Sequence, residues 1–296
     1  MAESHSRSSA ERRALLASGL AAQGSDLALE SESYTHGHHE SVLRSHRART
    51  VANSADYLRS YLTPGISLLD VGCGPGTLTA DLARLVAPGR VVGVDAAEEV
   101  LDSARAHSVT EGVTVEYLVA NAYELPFEDA SFDIVHAHQL LQHLSDPLAA
   151  IREMRRVTKP GGVVAARDSD YAAMAWYPEF DGLTEWNLLY HEVTAAHGFE
   201  ADAGRRLFAW FQEAGFAVAD LVPTASTWCY ATPAARDWWG GLWAQRCVES
   251  NFAIQAKDAG LADDVGLEQL AQDWRDWAQH PSGWFSVLHG EVVARV

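Results

Sequence analysis

The sequence predicts an α/β fold, a doubly wound and largely parallel sheet with helices on both faces. Three observations predict it. From Ile66 onward short apolar runs alternate with helical stretches, and that alternation requires a parallel sheet covered on both sides. The first run, Leu68-Leu69-Asp70-Val71, ends beside an acid and opens into the turn Gly72-Cys73-Gly74-Pro75-Gly76-Thr77. The second, Arg90-Val91-Val92-Gly93-Val94-Asp95, also ends in an acid. Glycines lack a Cβ, so the chain turns tightly and a ligand can approach the backbone. A carboxylate at the tip of the next strand can accept both hydroxyls of a ribose. Together these features point to a nucleoside-type cofactor at the carboxyl ends of two adjacent parallel strands.

Residues 1–30, rich in Ser, Ala, Arg and Glu, are expected to be a mobile or helical arm, and 31–296 a single domain. Residues 41–62 have helical periodicity through Val42, Leu43, Val51, Ala55, Leu58 and Leu62, and Thr63-Pro64-Gly65 stops that helix. Strand one is expected at 66–71 with its helix at 76–86, and strand two at 90–95 with a helix from Glu98 to His107. Strand three runs from Val113 to Val119 and strand four from Phe132 to Ala137. A helix follows from Pro147 to Thr158, then a turn at Lys159-Pro160-Gly161-Gly162 and strand five from Val163. After Arg167 the pattern changes. Helices are expected over 181–197 and 203–214, a strand from Phe216 to Thr227, helices over 233–258 and 264–279, and a final alternating strand. The helical insertions, about 172–214 and 233–280, read as a cap over the substrate.

A chain of 296 residues can bury a large core. Its three cysteines, Cys73, Cys229 and Cys247, form no Cys-x-x-Cys pair. They suit a reducing cytoplasm rather than a disulfide framework or a thiolate zinc site. A formal net charge of -18 disfavours nucleic acid and anionic membrane as partners, which leaves a small molecule. No apolar run reaches the roughly eighteen residues of a membrane span. Arg12-Arg13 followed by Ala14 to Ala22 loosely imitates a signal peptide. The apolar part is short and interrupted, and Glu3 and Glu11 precede it, so a tail or short amphipathic helix is expected.

The glycine spacing selects the cofactor. Gly72-x-Gly74-x-Gly76, with Asp70 two residues ahead, differs from the Gly-x-Gly-x-x-Gly of dinucleotide folds. It resembles motif I of the class I S-adenosylmethionine (SAM)-dependent methyltransferases, and most closely their ubiquinone- and menaquinone-type small-molecule subgroup. The resemblance covers about 40–168 well and the rest loosely. It implies a Rossmann-like seven-stranded sheet with an antiparallel last strand, SAM as cofactor and S-adenosylhomocysteine (SAH) as product. It implies that Gly72, Cys73, Gly74 and Thr77 wrap the methionine part, that Asp70 meets its amino group through water, and that Asp95 holds the ribose with Ala96 beside it. Asn121 and the Ala122 amide would face the adenine, Asn accepting through its carbonyl, although an Asx-turn explains Asn121 as well. His138, delivered to the end of strand four, would touch the methionine part. The Arg47-Ala48-Arg49-Thr50 segment resembles an Arg-x-Arg-Thr of glycine N-methyltransferase and related enzymes, which implies a cofactor-carboxylate role for Arg49. Tyr34 could close over the sulfonium.

Methyl transfer from a sulfonium is an in-line displacement, so the protein must align the nucleophile and exclude water. A hydroxyl or ammonium acceptor also needs a base, and histidine suits that near neutrality. His143 is the expected base or substrate-orienting group, and a structural role is the alternative. Asp168 is a second catalytic candidate, and Asp170 and Tyr171 would face the same cleft. The histidines at 36, 38 and 39 suggest a lid more than a metal site, and no metal is expected. All ten tryptophans lie after residue 170. Aromatics concentrated there would line an apolar pocket for an aromatic or polycyclic acceptor, or form a homo-oligomer contact. The expected function is methyl transfer to a small, mostly apolar metabolite, of the kind made in secondary metabolism. A SAM-binding protein without methyl transfer and a nicotinamide-dependent oxidoreductase are the alternatives.

Overall fold

The computed structural model describes residues 40–296, so the expected arm, Tyr34 and the histidines at 36, 38 and 39 lie outside the described residues. The chain enters through α1 (Glu40–Arg47), α2 (Val51–Ser54) and a 3-10 turn (Asp56–Tyr61). The expected single helix over 41–62 is thus broken. Thr50 is extended (φ −134°) and caps α2 in a reciprocal box with Asn53, and that local bonding outcompetes continuation of the helix. There follow β1 (Leu68–Val71), α3 (Thr77–Val86), β2 (Val91–Asp95), α4 (Glu98–Glu111), β3 (Glu116–Val119), β4 (Phe132–His138), α5 (Pro147–Val157) and β5 (Thr158–Tyr177). The remainder is α6 (Asp181–Ala196), α7 (Ala203–Glu213), β6 (Leu221–Tyr230), α8 (Pro233–Glu249), α9 (Asn251–Asp258), α10 (Asp264–Gln279) and β7 (Trp284–Arg295). The helix expected over 233–258 divides at Ser250, whose hydroxyl bonds back to the Arg246 carbonyl and caps the N–H of Phe252.

The seven strands form one sheet in the order β3-β2-β1-β4-β5-β7-β6. Strands β1 to β5 pair in parallel, and β7 runs antiparallel to both β5 and β6. Strand β5 is much longer than the expected apolar run. It follows β7 from the Val163–Arg295 pair to the Tyr177–Trp284 pair, with an irregularity between Asp170 and Ala175. Arg167, Asp168, Ser169 and Asp170 therefore sit inside the sheet rather than in a loop beyond it. Where α7 crosses β7 no side chain separates them: a Cβ at Gly290 would fall 1.9 Å from the Gly204 carbonyl oxygen.

The register makes one face of the sheet change character along its strands. Its lower half is apolar, with Leu68, Ile134, Ala165 and Val293 in the core. Two residues further along lie Asp70, His136, Arg167 and Glu291, with His138 and His289 beyond them, and all of these are buried. Apolar residues anchor the strands, and polar ones occupy the end where a parallel sheet binds ligands.

The C-terminal helices build a second core around Trp186, Trp243, Trp274 and Trp277, all fully buried. The expected aromatic pocket is largely this packed interior. Ring centroids lie 4.4 Å apart for Trp186 and Trp243 and 4.8 Å apart for Trp186 and Trp274, both pairs edge to face. Among the described residues, no helix is long and apolar enough to cross a membrane.

Candidate active site

The turn after β1 is held open by left-handed glycines: φ is +71° at Gly72, +53° at Gly74 and +74° at Gly76. A Cβ at Gly76 would fall 2.6 Å from both Ala104 Cβ and Tyr117 Oη, so side chains are excluded there on contact grounds as well. The Gly74 N–H donates to Asp95 Oδ2 at 2.9 Å, and the Ala97 N–H donates to Asp95 Oδ1 at 3.1 Å. Asp95 thus locks the turn to the tip of β2.

Asp70 is turned inward. It accepts from Thr79 Oγ1 at 2.5 Å, and the His136 Nδ1–H donates to its other oxygen at 2.8 Å. Cys73 is buried, and burial, with Asp70 and Asp95 nearby, holds its thiol well above the ordinary range.

Two cavities meet above this turn. The first, about 260 Å³, is lined by the turn itself, by Asp70 and Thr77, and by His46, Arg49 and His138. Among the described residues neither ring nitrogen of His138 has a hydrogen-bond partner. Burial, then the nearby Arg49 and Arg167, keeps that imidazole well below its usual range and so neutral. A neutral donor-acceptor ring and a guanidinium at one wall suit the ammonium and carboxylate of an amino-acid moiety. Arg49 Nη2 donates to Gln139 Oε1, and Gln139 Nε2 donates to His289 Nε2 at 2.9 Å. Gln139 reaches both from a positive φ of 49° at the end of β4.

The second cavity, about 400 Å³, has an apolar side formed by Tyr171, Met174, Trp228, Trp239 and Val287. Its polar side carries Gln139, Gln142, Ser169 and Arg246. Among the described residues, only His46 and Arg49 line both cavities.

The remaining expected site residues lie elsewhere. Gly74, Asp95, Ala96 and Ala122 line neither cavity, and Asn121 follows the end of β3, where its Oδ1 accepts from the Tyr123 N–H in an Asx-turn. His143 lies in a 3-10 turn, 7% exposed, its Nε2 accepting from Gln142 Nε2 at 2.8 Å. Burial pushes its pKa down to about 3, and it lines neither cavity.

Asp168 is fully buried beneath the second cavity's rim and lines neither space. Its Oδ1 accepts the Gln142 N–H at 3.1 Å, while its Oδ2 has no partner among the described residues. Burial raises its pKa to about 7, against the opposing pull of the Gln142 and Leu141 amides and of Arg167. The folded state therefore favours the protonated form. The contribution to stability is full below the ordinary carboxylate range, drains as pH rises from there to about 7, and stays low above that. Asp168→Asn cannot ionise and keeps the acceptor for Gln142. We expect the variant to be about 1–3 kcal/mol more stable than wild type at pH 8, with the difference closing toward pH 4. Urea unfolding at both pH values checks this, and an equal difference at the two would refute it.

An open glycine turn, clamped by an acid at the next strand tip on the carboxyl side of a parallel sheet, defines a nucleoside-cofactor-binding α/β domain. Comparisons refine that class. Residues 69–166 match the profile of a methyltransferase domain. An uncharacterized methyltransferase of Schizosaccharomyces pombe is 34% identical over 269 residues, 88% of this chain and 95% of that protein. The demethylmenaquinone methyltransferase of Lactococcus lactis is 38% identical over 61% of this chain and 67% of its own length. The crystal structure of the YcgJ protein from Bacillus subtilis shares the fold, with a TM-score of 0.52 and 21% identity over 81% of this chain and 97% of that one. The chain belongs to the class I SAM-dependent methyltransferases, and SAM is its cofactor.

Sequence reasoning passed over His46 and Arg246. His46 lies in the last turn of α1, and the Arg49 N–H just beyond the helix donates to its carbonyl at 3.1 Å. Nothing local marks Arg246, which reaches the cavity from α8, some 200 residues away.

Proposed function

We propose that this methyltransferase acts on a small, mostly apolar metabolite, aromatic or polycyclic in skeleton, bound in the second cavity. The observation that carries the reading is the lining of the second cavity by Tyr171, Trp228 and Trp239, with His46 and Arg49 shared with the first. Flat apolar surfaces favour a flat acceptor. Arg246 and Ser169 on the other side suit a hydroxyl or carboxylate at one end of it. The acidic chain, with its charge of -18, favours a cytoplasmic enzyme of small molecules over one of nucleic acid.

When bound, SAM supplies an electrophilic methyl group. The residues we assign to it are Asp95 for the ribose, the turn of Gly72, Cys73, Gly74 and Thr77 for close backbone approach, and Arg49 and His138 for the amino-acid end. Asp70 acts from behind, by fixing His136 and Thr79 beneath the turn. We assign His143 a structural role, because its buried ring favours the neutral form and its hydrogen bond supports Gln142, which in turn accepts from Ser169 at the cavity wall.

Calorimetric titration with SAH tests the cofactor half. Asp95→Ala removes a charged acceptor and the Gly74 clamp, and affinity is expected to fall about tenfold to a hundredfold. An unchanged affinity would remove Asp95 from the site. SAH release in the presence of hydroxylated aromatic and polycyclic compounds tests the acceptor half. Turnover only with aliphatic amines would overturn the aromatic reading.

A further inference from the structure

We propose that His46 borders the transferring methyl group and takes the proton that the acceptor loses; this rests on the methyl-transfer reading above. A methyl group passing from the cofactor cavity to the acceptor cavity must cross the boundary between them. His46 and Arg49 are the two residues that line both spaces. Arg49 is permanently charged and cannot accept a proton. Histidine can.

The position of His46 is built rather than incidental. Its carbonyl accepts from Thr77 Oγ1 at 3.0 Å and from the Arg49 N–H at 3.1 Å, which fixes the end of α1 to the start of α3. Arg246 Nη2 holds α1 from the other side through Ser45 Oγ at 2.6 Å and the Ser41 carbonyl at 3.2 Å. The ring lies over the glycine turn: a Cβ at Gly74 would stand 3.6 Å from His46 Nδ1. The residue is half-buried, so a proton received there can pass to water. His138 and His143, in contrast, are buried where a charged ring is disfavoured.

The proton accounting is simple. The acceptor's lone pair forms the new bond to the methyl carbon, the carbon–sulfur electron pair stays on sulfur, and the acceptor's O–H or N–H proton moves to the imidazole and then to solvent.

Among the described residues, the titratable and charged groups that line the two cavities with His46 are Asp70 and Cys73 at the turn, His138 on β4, Arg49 at the end of its own segment, Tyr171 on β5 and Arg246 on α8. Cys73 is held well above and His138 well below their ordinary ranges, so neither changes charge between pH 5.5 and 8 on the order of those shifts. An imidazolium at His46 would repel a sulfonium but not a neutral thioether. SAM and SAH differ at that atom and share their amino-acid and nucleoside parts, so the ratio of their affinities isolates the effect.

The experiment measures SAM and SAH dissociation constants by calorimetry across this pH range, for wild type and His46→Gln. In wild type, SAM should weaken relative to SAH by about tenfold as the pH falls, as expected for like charges a few ångströms apart at a partly solvated site. In His46→Gln the ratio should stay level. A level ratio in wild type overturns the proposal without reference to any variant. So does an equal slope in His46→Gln, or in His46→Asn should the glutamine variant fail to fold. Absence of SAH binding by folded wild type would instead overturn the cofactor assignments on which the proposal rests.

Discussion

Replacing Trp186 by alanine is expected to cost about 3–5 kcal/mol of folding stability. Trp186 is fully buried on α6 and sits at the hub of the cap, edge to face with Trp243 and Trp274 and within 6.4 Å, centroid to centroid, of Phe285 on β7. Truncation removes a large apolar area and leaves a void between rings that cannot easily collapse together. The loss should fall unevenly. Tyr171 and Trp239, which line the second cavity, belong to the same cluster, whereas the glycine turn packs against Leu140, Ala104 and Tyr117 in the other half of the domain. Denaturant unfolding should show the lost stability. SAH affinity of the folded variant should change by less than about threefold, within a sub-kilocalorie effect expected at a distant site. A stability loss under 1 kcal/mol would mean that the cap is loosely packed.

The second large effect is expected at Arg167 and Glu291. The pair spans β5 and β7 with both side chains buried and a separation of 3.1 Å. Glu291 also accepts from Thr224 Oγ1 at 2.7 Å and from Ser226 Oγ. The Arg167 guanidinium lies 5.0 Å over the ring of Trp228, which lines the second cavity. Burial lowers the Arg167 pKa to about 10, with Glu291 opposing that shift, so the guanidinium remains charged at neutral pH. Glu291→Gln would leave that cation buried beside a neutral amide, at an expected cost of about 3–5 kcal/mol. Arg167→Met combined with Glu291→Leu should recover most of the loss, because the desolvation of both charges disappears. The cycle is read by urea unfolding. A double variant no more stable than Glu291→Gln would show that the ion pair stabilises the sheet beyond what apolar packing can replace. Trp228 loses its cation in the double variant, so acceptor binding should weaken even where stability returns.

Much of this architecture is legible in the chain itself. The alternation from Ile66 to Ala166 locates β1 to β4 and their helices to within a few residues, because β1, β2 and β4 are apolar runs buried on both faces and the edge strand β3 keeps one buried face through Tyr117. The glycine turn and Asp95 are equally plain, since backbone conformation and strand ends are local properties. What escaped is non-local. Strand β5 reads as ending near Arg167 because charge follows an apolar run, yet Glu291, far away in sequence, neutralises that arginine and lets the strand continue. The tryptophans read as a ligand pocket because composition does not separate a cavity wall from a packed core; only Trp228 and Trp239 reach the cavity. His143 occupies the turn where a base was expected, and the ring points into the interior. His46 is distinguished only by the meeting of α1 with the glycine turn, which no spacing in the sequence reports.

The uneven placement of the tryptophans has an optical consequence. With every indole in the half after residue 170 and four of them stacked or crossed in the cap, tryptophan emission is weighted toward the cap, with Trp210 on the sheet core as the internal contrast. Far-ultraviolet dichroism reports on the whole sheet. The two signals together therefore resolve whether the cap and the cofactor half melt as one unit or in sequence, with no label introduced.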